Sequence, residues 1–345
     1  GATDRIVRPR DPEEFGAFAV AAAKRFAPRG VRLWEGWNEP NIKLFFYPQY
    51  ERQGDRWVQS SPKHYSALLK SFSAGIKSVD PKAIVAGGVF APTGDKCGAS
   101  CPVKPTDAGP PNRIRAGDFL AALDQPELRP PMDVVSHHPY PVSPPRPAGV
   151  VRRNTIDIYN LGSLTKAIDA TYLRGTKIWL SEYGFGTAAV ENNPVHFSLD
   201  EQATNIADAF QRFRDNGRVT LAVYYFLQDH PNWRSGLLEQ DGTPKPGFAA
   251  FALPFAVDRV DRSAVHLVGQ ARPASGRTKV QIEWKDGDDW RALTTAATTV
   301  DGTFAVSVRP ARDMTLRATW TGETRSGAPA TWTSPDVDVA PPARR

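Results

Sequence analysis

The chain has 345 residues, of which 41% are hydrophobic and 23% are charged, so it can bury the cores of two globular domains. The net charge of +6 is spread along the chain, and no Lys- and Arg-rich run alternates with aromatic residues, so the pI of 9.3 does not by itself favour a nucleic-acid-binding protein. No apolar run reaches the about 18 residues that a membrane-spanning helix needs, and no membrane span is predicted.

Helical and strand patterns alternate over the first two-thirds of the chain. A helix is predicted from Pro12 to Phe26, where apolar residues recur at helical spacing behind a capping Asp11. Further helices are predicted over residues 61–79, 116–123, 155–173, 200–217 and 245–253, and strands over residues 31–37, 83–90, 132–138, 177–185 and 219–229. Strands separated by helices are typical of consecutive βα units, so we predict a parallel sheet.

The pattern changes near Pro254. Short alternating strands follow, separated by Asp-Gly, Gly-Glu and Pro turns, and residues 284–290 (WKDGDDW) and 299–304 (TVDGTF) are hairpin signals. No helical pattern appears in this part. We therefore predict an α/β domain over residues 1–253, an all-β sandwich of immunoglobulin-like size over residues 254–338, and a disordered tail over residues 339–345.

Two cysteines, Cys97 and Cys101, lie in a loop rich in Gly, Ser and Pro. A structural zinc site needs a second pair of ligands, and a redox pair usually has two intervening residues at a helix start. We favour a small loop-closing disulfide, with two free thiols as the alternative. A disulfide implies an oxidising setting, hence a secreted or extracellular protein. The chain starts at Gly1 and carries no signal peptide, which favours a mature or shortened chain.

Reactive side chains of parallel βα proteins collect at the carboxyl ends of the strands. The predicted strand ends, and the residues just after them, carry Asn38, Glu39, His137, His138, Tyr140, Glu182, Tyr183, Gln228, Asp229 and Trp233. This set is rich in carboxylates, imidazoles and aromatic rings, and it lacks a Ser or Cys nucleophile beside a base.

Glu39 and Glu182 are the two strand-end glutamates, and they can face each other across one pocket. Two carboxylates are the minimum equipment for cleaving a glycosidic bond, because one donates a proton to the leaving oxygen while the other attacks or activates water. Aromatic rings fit this chemistry, since they stack on the flat apolar faces of sugars.

Simpler interpretations compete with this one. A single strand-end Glu is more often a surface carboxylate, and Glu35 is predicted to be of that kind or to form a structural ion pair, because it lies within its strand. Neighbours on a strand point to opposite faces, so at most one of His137 and His138 faces the pocket. No metal-ligand spacing appears, so we predict no metal and no cofactor.

Four motifs in order, WEGWNEPN, VVSHHPYP, IWLSEYGF and GLLEQDGTPKPGFAAF, resemble the clan A glycoside hydrolases. The chain is most similar to family thirty-nine-like members, which include β-xylosidases, iduronidases and bacterial exopolysaccharide hydrolases. The resemblance spans residues 11–251 and implies a (β/α)8 TIM barrel, a polysaccharide or oligosaccharide substrate and a retaining double displacement. It implies that Glu39 is the general acid/base and Glu182 the nucleophile.

The same resemblance implies roles for residues around the two glutamates. Asn38 would hold the 2-hydroxyl of the sugar, and Tyr140 or a neighbour would hydrogen-bond the nucleophile. His138 would line the pocket, and Trp233 is a candidate stacking platform. The further candidates for substrate binding are Trp37, His137 and Tyr183.

In that clan the Asn-Glu pair closes the fourth barrel strand. The first ten residues cannot hold three strands and two helices, which would need on the order of 100 residues, and the β-rich part after Pro254 cannot supply them by permutation. We therefore expect strands four to eight of the barrel without the first three. The open apolar edge beside residues 31–37 would favour association. The alternatives are a non-catalytic carbohydrate-binding protein or an inactive fragment of such an enzyme, and a nucleic-acid-binding protein ranks lowest.

Overall fold

The computed structural model describes residues 7–107, 109–144, 154–189, 195–273, 276–323 and 329–342. They fall into two compact units: the first lies within residues 1–183 and 216–224, and the second within residues 184–215 and 225–345. The domain boundary predicted at residue 254 from the change of pattern stays a prediction.

The first unit is built around a parallel sheet. Its strands are β1 (Leu33–Glu35), β2 (Tyr50–Gln53), β3 (Arg56–Gln59), β4 (Ile84–Phe90), β5 (Ser100–Pro102), β6 (Val134–His137), β7 (Lys177–Tyr183) and β8 (Val219–Tyr224), and its helices are α1 (Pro12–Phe26), α2 (Ser61–Val79), α3 (Ala116–Leu123) and α4 (Gly162–Asp169). The parallel sheet has the order β1-β4-β6-β7-β8 and curls as a half-barrel. Its carboxyl ends meet at one edge, as the sequence predicted.

Apolar residues fill both faces of the central strands, as parallel sheets covered by helices require. Val85, Val135 and Leu180 are fully buried on three neighbouring strands. Within the described part of the chain, β1 pairs with β4 alone, so it forms one edge of the sheet and β8 forms the other. Leu33 on β1 is 47% exposed, so an apolar side chain lies at this open edge.

Local side chains decide where the helices begin. Helix α1 starts at Pro12 because the Asp11 carboxylate accepts a hydrogen bond of 2.9 Å from the Glu13 N–H. The helix predicted over residues 155–173 is shorter, since α4 begins at Gly162. Before it, the Asp157 N–H donates to Asn160 Oδ1 at 2.7 Å, and such short polar side chains favour turns over helix.

A small antiparallel sheet of β2, β3 and β5 was not predicted, although its residues follow the WNEPN motif. The two outer strands both pair with β3, and the turn between β2 and β3 contains Gly54 at a φ of 61°. Cys101 on β5 forms a disulfide with Cys97 in the preceding loop, which confirms that prediction.

The described residues of the second unit form two helices and two antiparallel sheets. They are α5 (Leu199–Asp215), α6 (Pro246–Ala252), β9 (Phe255–Val260), β10 (Val265–Gln270), β11 (Lys279–Asp286), β12 (Asp289–Ala297), β13 (Thr303–Val308), β14 (Met314–Glu323), β15 (Pro329–Thr333) and β16 (Val337–Val339). One sheet has the order β13-β10-β9, and the other has the order β12-β11-β14-β15, with β16 also pairing with β14. Their buried core includes Phe255, Ile282, Phe304 and Trp320.

The predicted hairpin at Asp286–Gly287 is confirmed by the pairing of β11 with β12. The hairpin predicted at residues 299–304 is wrong, because this turn joins β12 to β13 and the two strands belong to different sheets. Strand β16 ends at Val339, the first residue of the predicted tail, and residues 343–345 of that tail lie outside the described residues. Among the helices that the structure describes, none is long and apolar enough to cross a membrane.

Candidate active site

The first glutamate lies in a turn that leaves β1, the Asn-Glu turn (residues 36–41). Trp37 and Glu39 have left-handed backbones, with φ of 80° and 41°. Such conformations cost non-glycine residues about 1–3 kcal/mol each and persist only where neighbours enforce them. Tyr65 does so here, because its hydroxyl donates to the Gly36 carbonyl at 2.9 Å and accepts from the Gly88 N–H at 3.0 Å.

Two buried amides hold the far end of the Asn-Glu turn. Asn41 is fully buried; its amide nitrogen donates to the carbonyls of Ala91 at 3.2 Å and Ile114 at 3.0 Å, and its oxygen accepts from the Ala91 N–H at 2.8 Å. Gln49 Nε2 donates to the Pro40 carbonyl at 2.9 Å. The turn is therefore tied to its neighbours through the Asn41 side chain and the Pro40 carbonyl, which restrains the glutamate it carries.

The second glutamate, Glu182, lies near the end of β7, where the register with β8 shifts between Leu180 and Tyr183. The Tyr140 hydroxyl donates to Glu182 Oε2 at 2.9 Å. Burial raises the pKa of Glu182, whereas the charge of His138 and the hydrogen bond from Tyr140 act against that rise without cancelling it.

His138 brings the two glutamates together. Its Nδ1 lies 2.9 Å from Glu39 Oε1 and 3.6 Å from Glu182 Oε2. One oxygen of each glutamate thus lies beside the same imidazole nitrogen, which brings the two carboxylates to one place in the site. Burial lowers the pKa of His138, but the hydrogen bond to Glu39 and the nearby Glu182 charge outweigh it, so the pKa is raised.

Two serines lie behind His138 and were missed from the sequence. His138 Nε2 is 3.0 Å from Ser181 Oγ, which is 2.8 Å from Ser136 Oγ. Ser136 precedes His138 by two residues, so the two share a face in the strand predicted over residues 132–138, and Ser181 directly precedes the second glutamate. Their positions beside predicted site residues are the sequence signal from which the two serines could have been found.

Other predicted site residues have contacts of their own. His137 Nε2 donates to the Ile156 carbonyl at 2.8 Å, and burial lowers the pKa of His137 to about 3, so this ring stays neutral. Tyr183 is buried and packs edge-to-face on Tyr224. Trp233 belongs to the second unit, in a turn closed by backbone hydrogen bonds with His230.

The remaining strand-end residues, Gln228 and Asp229, also lie in the second unit. Gln228 donates to the Gln240 carbonyl at 2.7 Å. The Asp229 side chain is 1% exposed and accepts from Lys245 Nζ at 2.8 Å, while Lys245 itself is 0% exposed. This is a buried ion pair that shapes its loop.

A cavity of about 370 Å³ adjoins the Asn-Glu turn. Glu35 ends β1 and faces this cavity together with Trp37 and Asn38; the other lining residues are Phe15, Phe18, Phe45 and Phe72. Glu35 Oε1 is buried and finds no hydrogen-bond partner among the described residues, whereas the sequence predicted a surface carboxylate or a structural ion pair for Glu35. In the same described part of the chain, no cluster of three His, Cys, Asp or Glu could hold a metal ion.

Comparisons with known proteins give a fold. No family model and no curated protein matches the sequence. A glucosidase from Croceicoccus marinus is similar in structure, with a TM-score of 0.51 and 15% identity over 88% of this chain and 73% of that one. A β-1,3-glucanosyltransferase from Rhizomucor miehei, an active-site mutant with laminaritriose, aligns with a TM-score of 0.34 and 16% identity over 55% of this chain and 57% of that one. The likeness to the glucosidase supports a glycosidase-like fold, and the second likeness is too low to add to it.

Proposed function

We propose that this chain carries the catalytic glutamates of a retaining glycoside hydrolase that cleaves O-glycosidic bonds of a polysaccharide or glycoconjugate. One observation carries the proposal: Glu39 and Glu182, from separate strand ends, both approach one nitrogen of His138 within 3.6 Å. Two carboxyl groups that share one imidazole nitrogen are suited to the separation of about 5 Å at which one of them can attack the sugar directly.

The reaction runs in two displacements. In the first, the Glu182 carboxylate attacks the anomeric carbon while Glu39 gives its proton to the leaving oxygen, so that an ester between the sugar and Glu182 forms and the glycosidic bond breaks. In the second, the Glu39 carboxylate takes a proton from water, the resulting hydroxide attacks the same carbon, and Glu182 leaves as a carboxylate. Two inversions give net retention.

Neighbouring side chains prepare the two glutamates for these roles. Tyr140 donates to Glu182 and thereby favours the ionised form that attacks. Asn38 lies directly before Glu39 in the Asn-Glu turn, a position suited to hydrogen-bonding the 2-hydroxyl next to the reacting carbon. Trp37, with its left-handed backbone, orients the same turn.

A fold assignment belongs to this proposal. We propose that the five parallel strands correspond to strands four to eight of a (β/α)8 barrel of the clan A, family thirty-nine-like kind, and that the sheets of the second unit form an immunoglobulin-like sandwich. The similarity to the glucosidase, at a TM-score of 0.51, supports a fold of this kind. The Cys97–Cys101 disulfide supports a secreted or extracellular location.

Product analysis on a panel of glycans and aryl glycosides of both anomers tests the function. We expect wild-type protein to release sugars, and Glu39→Gln and Glu182→Gln each to lower kcat/KM by about 10³-fold or more on unactivated substrates. Glu14→Gln, an exposed glutamate on α1, is the matched control and keeps the wild-type rate. Glycan binding without turnover, or wild-type rates in both variants, would refute the proposal.

A further inference from the structure

The hydroxyl pair behind His138, Ser181 with Ser136, has no role in the two displacements. Both side chains lie on the far side of the imidazole from Glu39, in a chain that runs from Nε2 to Ser181 Oγ at 3.0 Å and on to Ser136 Oγ at 2.8 Å. Ser136 is fully buried. Either hydroxyl can act as the donor to the other.

We propose that Ser181 is a positioning residue that acts through His138: with Ser136 it satisfies Nε2 in both protonation states of the ring and so keeps the Nδ1–H of His138 on Glu39 throughout the reaction. The proposal rests on the function proposed above, because it is Glu39 whose charge changes during that reaction.

The neutral ring fixes one direction of the chain. An ionised Glu39 can only accept, so the hydrogen between them belongs to His138 Nδ1. In a neutral imidazole Nε2 is then an acceptor, and the Ser181 hydroxyl donates to it. Ser136 in turn donates to Ser181 Oγ.

The cationic ring requires the opposite direction. Both ring nitrogens now carry hydrogen, so Nε2–H donates to Ser181 Oγ and the Ser181 hydroxyl donates to Ser136 Oγ. The change needs only the rotation of two hydroxyl hydrogens, while every heavy atom stays where it is. A carbonyl at the position of Ser181 would serve the cationic form alone, because it cannot donate.

The charged groups that face His138 favour the neutral ring at one stage of the reaction and the cationic ring at another. Glu39 faces it from the Asn-Glu turn, Glu182 from β7 and, at longer range, Glu35 from the end of β1, while neighbouring His137 is neutral. An ionised Glu39 favours the cationic ring, and a protonated Glu39 favours the neutral ring. Since Glu39 alternates between acid and carboxylate, a ring that is satisfied in both forms keeps its orientation in each step.

NMR of ¹⁵N-histidine-labelled protein tests the proposal without any substrate. Long-range ¹H–¹⁵N spectra report the tautomer and the pKa of each ring, and a His138→Gln variant assigns the signal. In Ser181→Ala the buried cationic Nε2–H loses its acceptor, so we expect the pKa of His138 to fall by about one unit. Ser181→Thr keeps a hydroxyl and should titrate like the wild type.

Three outcomes would overturn the proposal: an unchanged His138 titration in Ser181→Ala, an equal shift in the Ala and Thr variants, or a neutral wild-type ring with its hydrogen on Nε2. Thermal unfolding identifies a merely structural role of Ser181, because such a role would lower Tm without changing the pKa of His138. Should Ser181→Ala fail to fold, Ser136→Ala removes the second hydroxyl and should lower the same pKa. Absence of glycosidase activity would refute the proposed function and leave this titration result standing.

Discussion

Replacing Tyr140 by Phe should raise the pKa of Glu182. The Tyr140 hydroxyl donates to Glu182 Oε2 at 2.9 Å and stabilises the carboxylate more than the acid. A hydrogen bond to a charged group contributes about 1.5–3 kcal/mol, and one pKa unit corresponds to about 1.4 kcal/mol. Because the Glu182 side chain is 28% exposed, we take the low end of that range and expect a rise of about one unit.

The direct assay is a pH titration of Glu side-chain carboxyl carbons by ¹³C NMR, with Glu182→Gln used to assign the signal. The acidic limb of the kcat/KM profile should move to higher pH by a similar amount, since the attacking form of Glu182 is the ionised one. Tyr172→Phe is the matched control, because it removes a hydroxyl that donates to the Pro130 carbonyl, away from Glu182. An unchanged or lowered pKa of Glu182 in Tyr140→Phe would show that this hydrogen bond does not stabilise the carboxylate.

Three further predictions concern stability and association. Asn41→Ala removes three buried hydrogen bonds and should lower the free energy of unfolding, measured in urea, by about 2–4 kcal/mol. Asn112→Ala is the exposed control, and a similar loss there would contradict a special stabilising role of the Asn41 hydrogen bonds. The His137 pKa is about 3 when folded and about 6.5 when unfolded, so this residue should make stability decline as pH falls below 6.5, by up to about 1.4 kcal/mol per pH unit. His137→Gln should reduce the slope of stability against pH by that amount, and an unaltered slope would refute the reasoning. Leu33→Lys at the open sheet edge should weaken self-association in sedimentation analysis, while equal weakening by Leu293→Lys in the second unit would argue against edge pairing.

The parts of the fold that the sequence predicted are those decided by local patterns. Helix α1 has the predicted bounds because Asp11 and Pro12 set its start, and the Asp-Gly turn set the hairpin of β11 with β12. Helix α4 was overestimated, because the hydrogen bond from Asp157 to Asn160 competes with helix at a site where apolar spacing alone looks helical.

Part of the candidate site could likewise be predicted from local patterns, and part could not. Both glutamates followed from their positions at predicted strand ends, and the geometry brings them around His138. The serines behind His138 and the half-buried Glu35 did not follow, because their importance depends on contacts between strands. A polar residue within a strand pattern looks ordinary until its partner across the sheet is known.

Azide rescue tests the central claim most directly, because it reports which glutamate attacks. In Glu182→Ala, azide should occupy the space of the missing carboxylate and yield, from an activated aryl glycoside, a glycosyl azide of inverted configuration. In Glu39→Ala, azide should instead intercept the sugar ester of Glu182 and yield the retained product. A retained azide from Glu182→Ala, or an inverted one from Glu39→Ala, would contradict the assignment of Glu182 as nucleophile and Glu39 as acid/base.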